Sequence, residues 1–193
     1  MNNGNKIYPT PLEKVAQWVK QTPDSVFMRQ PIDGQYKEFT WKEVDNQARR
    51  IATALLGLGL EKGDRVAILA KNSAEWFITD YAIQLASLIS VPLYPMQSPD
   101  SIEYVINHSE SKAIVIGKLD GAKGMEPGIP AGVTRIGMPY AIDMKIDHKW
   151  NDLLAKNEPF KDSPVHSMDD LMTLIYTSGT TGNPKGVMHT YGT

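Results

Sequence analysis

Cysteine is absent from the 193 residues of this chain, and no long uninterrupted apolar run is present. The first absence excludes disulfide bonds and thiolate metal sites, and it is compatible with a reducing compartment. The most apolar segment, residues 76–93, contains Asp80, Gln84 and Pro92, which indicates a buried helix and strand rather than a membrane span. Residues 1–10 are polar and lack the apolar core of a signal peptide. These features predict a cytoplasmic protein without a transmembrane segment.

An excess of charge of one sign is also missing. The formal net charge is −2, from 20 Lys and Arg residues against 22 Asp and Glu residues. A surface with this balance has no general attraction to nucleic acid, so we expect no nucleic-acid partner. Hydrophobic residues make up 41% of the chain, which is enough to build a globular core.

Helix-start signals recur along the first hundred residues. In a capping box, a short polar side chain caps the helix and a Glu three residues later reaches back to the cap. Three segments fit this pattern, and a fourth places proline at the first helical position after a serine cap. The segments are Thr10-Pro11-Leu12-Glu13, Thr40-Trp41-Lys42-Glu43, Asn72-Ser73-Ala74-Glu75 and Ser98-Pro99-Asp100. We therefore expect a helix to begin at each of them.

Short apolar runs between and after these signals predict strands at residues 66–69, 91–94, 113–116 and 171–176. Continuous apolar strands are typical of sheets that are covered on both faces, and alternation of strand and helix is typical of parallel sheets. The sequence therefore predicts an α/β fold with a largely parallel sheet flanked by helices. Two short strands are expected around the turn at residues 32–35. Residues 117–139 are expected to be mostly loop with one strand, and residues 150–155 to form a short helix.

A glycine-rich segment follows the last predicted strand. It reads Tyr176-Thr177-Ser178-Gly179-Thr180-Thr181-Gly182-Asn183-Pro184-Lys185-Gly186. Its glycines allow sharp turns and close approach of the backbone to a ligand, and successive N–H groups in such a turn can hold anionic oxygens. The Thr and Ser hydroxyls add donors, and Lys185 adds a positive charge that suits a triphosphate or pyrophosphate. The segment therefore predicts a phosphate-binding loop.

Two other interpretations of this segment fit less well. The NTPase P-loop requires Gly-x-x-x-x-Gly-Lys-Ser/Thr, whereas here Gly179 and Gly182 are three residues apart and Lys185 follows a proline. A glycine-rich turn without a ligand would be the simpler interpretation of an isolated Gly-x-x-Gly. It does not account for eleven consecutive positions that suit a phosphate cradle after a strand.

At this loop the chain resembles the adenylate-forming superfamily, which includes acyl-CoA synthetases, adenylation domains of nonribosomal peptide synthetases and firefly luciferase. Upstream segments resemble the landmarks of that superfamily in the same order. They are Phe39-Thr40-Trp41, Lys62-Gly63-Asp64-Arg65-Val66-Ala67-Ile68, Asn72-Ser73-Ala74-Glu75-Trp76 and Val91-Pro92-Leu93-Tyr94-Pro95. Residues 93–119 look most like long- or medium-chain fatty acyl-CoA synthetases.

The resemblance implies a two-step reaction in fatty acid metabolism. A carboxylate, most simply that of a fatty acid, attacks ATP in the presence of Mg²⁺ to give an acyl-adenylate and pyrophosphate, and coenzyme A then displaces AMP. The resemblance assigns phosphate binding to the loop and a catalytic role to Lys185, and it makes Thr177 a candidate Mg²⁺ ligand. The implied phosphate-binding residues are Thr177, Ser178, Gly179, Thr180, Thr181, Gly182 and Lys185.

The same resemblance implies that residues 1–193 form the N-terminal part of an AMP-binding domain. Its expected parts are a helix and hairpin (1–39), an α/β subdomain (40–140), a connection (141–170), and a strand with the phosphate-binding loop (171–193). Later motifs of the superfamily do not follow, so we expect a fragment that makes no acyl-CoA alone. Exposed apolar faces would then favour self-association. Peripheral membrane contact is compatible with a fatty-acid substrate.

Two alternatives stay open at this point. One is an adenylation domain that activates an amino or aryl acid. The other is a non-catalytic module that only binds or dimerises.

Several residues are not expected to act in catalysis. Tyr191 stands where many relatives have a histidine, and His189 is displaced from that position. Among the other histidines, His108 is expected to be structural or at the surface, and His166 to be solvated. The pair Asp169-Asp170 is more typical of a turn terminus than of a metal site.

Overall fold

The computed structural model describes residues 8–177 and 183–193 of the chain. In these ranges the chain forms six α-helices, nine strands and one 3-10 turn. The helices are α1 (Pro11–Gln21), α2 (Trp41–Gly57), α3 (Ala74–Leu85), α4 (Pro99–Ser109), α5 (Ala122–Met125) and α6 (Trp150–Lys156). The strands are β1 (Val26–Ile32), β2 (Gln35–Thr40), β3 (Arg65–Leu69), β4 (Ile89–Leu93), β5 (Ser111–Ile116), β6 (Thr134–Gly137), β7 (His148–Lys149), β8 (Leu171–Thr177) and β9 (Lys185–Thr190). The 3-10 turn is Glu126–Gly128.

Seven of the described strands form one sheet in the order β7-β6-β5-β3-β4-β8-β9. Neighbouring strands from β7 to β8 run parallel, and β9 is antiparallel to β8. The prediction of an α/β fold with a largely parallel sheet is confirmed. Because β3, β4, β5 and β8 are parallel, their carboxyl ends lie at one edge of the sheet, where open α/β proteins place their ligands.

The sheet is covered on both faces, and β3 shows this most clearly. Val66 and Ile68 pack into a core shared with α1, α2, α3 and α6, whereas Ala67 and Leu69 pack into a core shared with α4 and α5. All four side chains are fully buried. Burial on both faces explains why this strand is a continuous apolar run in the sequence.

Local capping chemistry fixes where the first helices begin. Thr10 with Glu13 at α1, and Thr40 with Glu43 at α2, form the reciprocal capping boxes that the sequence predicts. The box predicted to begin at Asn72 is wrong, since the cap of α3 is Ser73, whose Oγ accepts a hydrogen bond from the Trp76 amide at 3.1 Å.

Glu75 is used differently from the prediction. Its side chain is buried, and its carboxylate accepts a 2.6 Å hydrogen bond from the Tyr140 hydroxyl. This bond ties the start of α3 to the segment that follows β6. Glu75 therefore links two parts of the chain instead of closing a local cap.

A separate hairpin precedes the sheet, as predicted. Strands β1 and β2 are antiparallel and joined by Asp33 and Gly34, whose φ angles of 48° and 80° are both positive. Positive φ at both central residues defines the turn type that matches the twist of a two-residue hairpin. The Asp-Gly pair is the sequence signal for it.

The connection between α6 and β8 lies along α2 and is bound to it by adjacent arginines. Arg49 donates from Nη1 to the carbonyl oxygens of Phe160 and Asp162, both at 2.9 Å. Arg50 donates to the carbonyl oxygen of Asn157 at 2.6 Å. These charge-assisted bonds satisfy backbone acceptors in a segment that forms neither helix nor strand.

Four short elements were not predicted. Residues 117–139 were expected to form one strand in a loop, yet they also form α5 and the 3-10 turn before β6. β7 has two residues, too few for a sequence pattern. β9 was also missed, and it makes the end of the sheet antiparallel.

None of the described helices is both long enough and apolar enough to cross a membrane.

Gly128 provides a test of the packing between the 3-10 turn and α4. A Cβ atom at this position would lie 2.3 Å from the carbonyl oxygen of Pro99 and 2.7 Å from its Cα. Because the obstacle is backbone, we expect Gly128→Ala to lower the free energy of unfolding by about 1–3 kcal/mol in urea denaturation. Gly57→Ala is the matched control, because a Cβ there meets nothing within 4 Å. Equal stability of the two variants would contradict this account.

Candidate phosphate-binding site

The predicted phosphate-binding loop joins the two strands of a β-hairpin. β8 ends at Thr177 and β9 begins at Lys185, and these two residues face each other as the last register pair. Residues Ser178, Gly179, Thr180, Thr181 and Gly182 lie outside the described residues. The predictions for those five residues therefore stay predictions, whereas the two ends of the loop are placed.

The hairpin is attached to the parallel sheet through β8. Ser90 of β4 pairs with Thr173 of β8, and the Thr173 hydroxyl donates a 2.9 Å hydrogen bond to the Ser90 carbonyl oxygen. Thr173 is buried, so this side-chain bond supplements the backbone ladder in a protected place. The attachment puts Thr177 at the carboxyl edge of the sheet, where a ligand can approach.

Both ends of the loop offer groups that suit a phosphate. Thr177 and Lys185 are exposed. Within the described ranges, the Lys185 ammonium forms no salt bridge, so its charge is not neutralised by a neighbouring carboxylate. An unneutralised ammonium beside a hydroxyl donor is a suitable pair for an anionic oxygen.

Metal binding by Thr177 stays a prediction. A magnesium ion held by protein groups normally takes at least one carboxylate ligand. Among residues 8–177 and 183–193, no group of three or more His, Asp or Glu side chains could hold a metal ion. The described residues thus supply no dedicated cage, and a threonine hydroxyl alone does not make one.

Tyr176 lies in the strand pair next to the two ends of the loop. Its side chain is buried in the core beside α4, and its ring lies against Gly186, the partner residue on β9. A Cβ atom at Gly186 would lie 3.0 Å from the Cζ atom of Tyr176. Glycine at position 186 therefore gives the aromatic ring room on the face of the hairpin.

The Tyr176 hydroxyl is held by a histidine that sequence reasoning treated as structural. Nδ1 of His108 lies 2.8 Å from the phenol oxygen, and the two rings meet edge to face. Burial raises the pKa of Tyr176, and the nearby Tyr104 adds to the effect, so the phenol stays protonated at neutral pH. His108 is exposed, as expected, but it belongs to the last turn of α4 and has a specific partner.

A second polar cluster lies where β9 ends. Tyr191 stacks on His166, with ring centroids 4.3 Å apart and planes 9° apart. Nε2 of His166 lies 3.2 Å from the carbonyl oxygen of Gln84 in α3. The expectation that His166 is solvated is wrong, because its side chain is only 7% exposed.

Two carboxylates, those of Asp80 and Asp170, influence the Tyr191 hydroxyl. Burial raises the pKa of Tyr191, and the charges of Asp80 and Asp170 raise it further. Burial also raises the pKa of Asp80. The Tyr191 hydroxyl is buried and has no hydrogen-bond partner in the described structure. At neutral pH position 191 therefore carries a neutral phenol.

Asp170 and His189 each have a local hydrogen-bond partner. Asp170 accepts a hydrogen bond from the Ser167 amide at 2.8 Å, which makes it a turn residue. His189 lies on β9 opposite Thr173, and its Nδ1 atom is 3.4 Å from the Thr193 hydroxyl oxygen. The expectation that His189 has no catalytic role stays a prediction.

One protein family and several known proteins are similar to this chain. A family model described as AMP-binding enzyme matches residues 15–193. The chain is 38% identical over 170 residues to the fatty acyl-CoA synthetase A of Dictyostelium discoideum, which covers 82% of this chain and 25% of that protein. It is 31% identical over 180 residues to the peroxisomal long chain acyl-CoA synthetase 7 of Arabidopsis thaliana, covering 82% and 24% respectively. The chain thus spans about a quarter of the length of these relatives.

Solved structures share the fold over almost the whole chain. An anthranilate CoA ligase, AuaEII, in complex with anthranoyl-AMP matches with a TM-score of 0.83 at 22% identity, covering 96% of this chain and 35% of that one. The O-succinylbenzoate coenzyme A synthetase of Bacillus subtilis, in complex with AMP, matches with a TM-score of 0.73 at 25% identity, covering 95% and 43%. These likenesses agree with an acyl-CoA ligase-like α/β fold. Because the family model matches nearly the whole chain, the chain belongs to the AMP-binding enzyme family.

Proposed function

We propose that this chain provides the phosphate-binding part of an AMP-forming acyl-CoA ligase that acts on fatty acids. The observation that carries the proposal is the placement of Thr177 and Lys185. They are register partners at the two ends of the predicted phosphate-binding loop, at the carboxyl edge of the sheet. Among the described residues, no carboxylate forms a salt bridge with the lysine. The names of the relatives, a fatty acyl-CoA and a long chain acyl-CoA synthetase, support the substrate class.

The proposed reaction has two steps. A carboxylate oxygen attacks the α-phosphorus of ATP, and the bond to the β-phosphate oxygen breaks to release pyrophosphate. The thiol of coenzyme A then attacks the acyl carbon, and AMP leaves with the loss of the thiol proton. In the first step, Lys185 and the loop donors would hold the β- and γ-phosphates and stabilise the negative charge that grows on the departing pyrophosphate.

An aryl-acid or amino-acid substrate is the second candidate. It draws support from the fold likeness to an anthranilate ligase and to an O-succinylbenzoate synthetase. Those likenesses are at 22% and 25% identity, below the 38% and 31% of the fatty acyl relatives. We therefore favour the fatty acid.

The contribution of Lys185 can be measured directly on residues 1–193. Because a hydrogen bond to a charged group is worth about 1.5–3 kcal/mol, we expect Lys185→Met to weaken pyrophosphate binding roughly 10- to 100-fold. Lys185→Arg keeps the charge and should lose less. Isothermal titration calorimetry with pyrophosphate gives the affinities.

The matched control for this experiment is Lys161→Met. Lys161 is also exposed, lies in the connection before β8 and is distant in sequence from the loop. Its removal changes the net charge equally and should leave the affinity unchanged. An equal loss in both variants would show a general charge effect and would count against the proposed role of Lys185.

Catalysis by residues 1–193 alone is not expected. The relatives are about four times as long as the part of them that this chain matches, so most of the acyl and adenosine contacts would come from elsewhere. We expect ATP–pyrophosphate exchange with palmitate to stay at the level of a protein-free blank. Robust exchange by this chain would refute the expectation and would place the whole adenylation site within it.

Self-association is the expected behaviour of the β9 edge. β9 is the last strand of the described sheet, and it exposes Val187 and Met188, the latter to 70%. An apolar edge strand pairs readily with another chain, and a charge on it opposes pairing. We expect sedimentation equilibrium to show dimers that Met188→Lys shifts toward monomer, whereas Val165→Lys, at an exposed residue of the connection, does not. A wild-type monomer at all concentrations would argue against this interface.

A further inference from the structure

Tyr176, which comes immediately before Thr177, is contacted by Gly186 and by His108. Tyr176 precedes Thr177 on β8, and Gly186 follows Lys185 on β9. Tyr176 and Gly186 form the register pair directly below the pair that opens the loop. The Tyr176 ring therefore fills the space beside Gly186 in the register pair next to the predicted phosphate site.

His108 contacts the hydroxyl end of the Tyr176 ring. Nδ1 of His108 lies 2.8 Å from the Tyr176 hydroxyl oxygen, and the ring centroids are 5.7 Å apart with an interplanar angle of 89°. His108 is itself held by Tyr104, one helical turn earlier, with ring centroids 5.3 Å apart. The rings of Tyr104, His108 and Tyr176 form a continuous contact from α4 to the base of the loop.

The helix that carries His108 is firmly anchored. Ile102, Val105 and Ile106 of α4 are buried in the same core as Tyr176. His108 stands in the last turn of α4, directly after these buried residues. The histidine therefore holds the Tyr176 hydroxyl against a rigid support, and the bond spans 68 residues of sequence.

We propose that His108 is a positioning residue for phosphate binding, acting through Tyr176 on the geometry of Thr177 and Lys185. This inference rests on the proposed function of the loop. His108 itself bonds the phenol, and its effect on a bound phosphate is transmitted by the ring and the adjacent strand pair. An unprotonated Nδ1 accepts a hydrogen bond from the phenol O–H, and a protonated Nδ1 donates one to the phenol oxygen, so the contact can form in either state.

The test uses residues 1–193 labelled with ¹⁵N and pyrophosphate as the probe. The variants are His108→Ala, Tyr176→Phe, the double variant and His108→Asn. We expect each of the first two to raise the Kd for pyrophosphate about threefold to tenfold, as the loss of one positioning hydrogen bond does. The Kd of the double variant should not exceed the higher of the two single-variant Kd values, because both substitutions remove the same contact.

A conservative replacement separates positioning from simple loss of stability. The Asn side-chain amide can reach the place of Nδ1 and can donate or accept, so His108→Asn should restore the Kd to within about twofold of the wild type. Asn107→Ala, at the preceding exposed residue of α4, is the control and should leave the Kd unchanged. The amide signals of Thr177 and Lys185 should shift in His108→Ala and stay in place in Asn107→Ala.

The outcomes distinguish this inference from the proposed function. If Lys185→Met binds pyrophosphate more weakly while His108→Ala binds it like the wild type, the positioning role of His108 is overturned and the proposed role of the loop stands. Additive losses in the double variant, or no rescue by His108→Asn, would also overturn the positioning role. If the wild type does not bind pyrophosphate and the Thr177 and Lys185 amides do not respond to it, both proposals fail.

Discussion

The parallel pairing of β8 with β4 is the constraint on which the candidate site depends. Strands β3, β4 and β5 form a sheet from residues 65–116, and β8 joins it from more than 50 residues further along. The Ser90 and Thr173 pair, with its additional side-chain bond, fixes the position of β8 in that sheet. Without it, β8 and β9 would be an isolated two-stranded hairpin, which is marginally stable in water.

Several features hold this arrangement together from outside the sheet. The paired arginines of α2 bind the connection that leads into β8. At the other end of the hairpin, the stack of His166 and Tyr191 packs the residues after β9 against α3. The hairpin is therefore supported near the loop by α4 and at its opposite end by α3, so helices on both faces of the sheet contribute to its placement.

Local signals allowed most of the fold to be predicted from the sequence. Capping boxes at Thr10 and Thr40 gave the starts of α1 and α2 because cap and helix lie within three residues of each other. Continuous apolar runs gave β3 and β5, since burial on both faces leaves no polar positions. β9 gave no such signal, because it has exposed residues on both faces and its pairing depends on a partner across a loop.

The sequence predicted the chemical groups of the candidate site but not the contacts that support it. The loop residues are recognisable because glycines, hydroxyls and a lysine are contiguous in the chain. The supports are not contiguous: His108 reaches Tyr176 across 68 residues, and His166 reaches Gln84 across 82. A single histidine has no periodicity, so its partner becomes evident only when the sheet brings the segments together.

The register pair of Thr177 and Lys185 has a consequence for the thermodynamics of ligand capture. Seven residues lie between these two, and the strand ladder already holds the ends of that segment together. The entropic cost of bringing the two ends together is thus part of the folding free energy, and ligand binding does not add it again. A phosphate that binds between Thr177 and Lys185 would therefore not have to bring these two residues together.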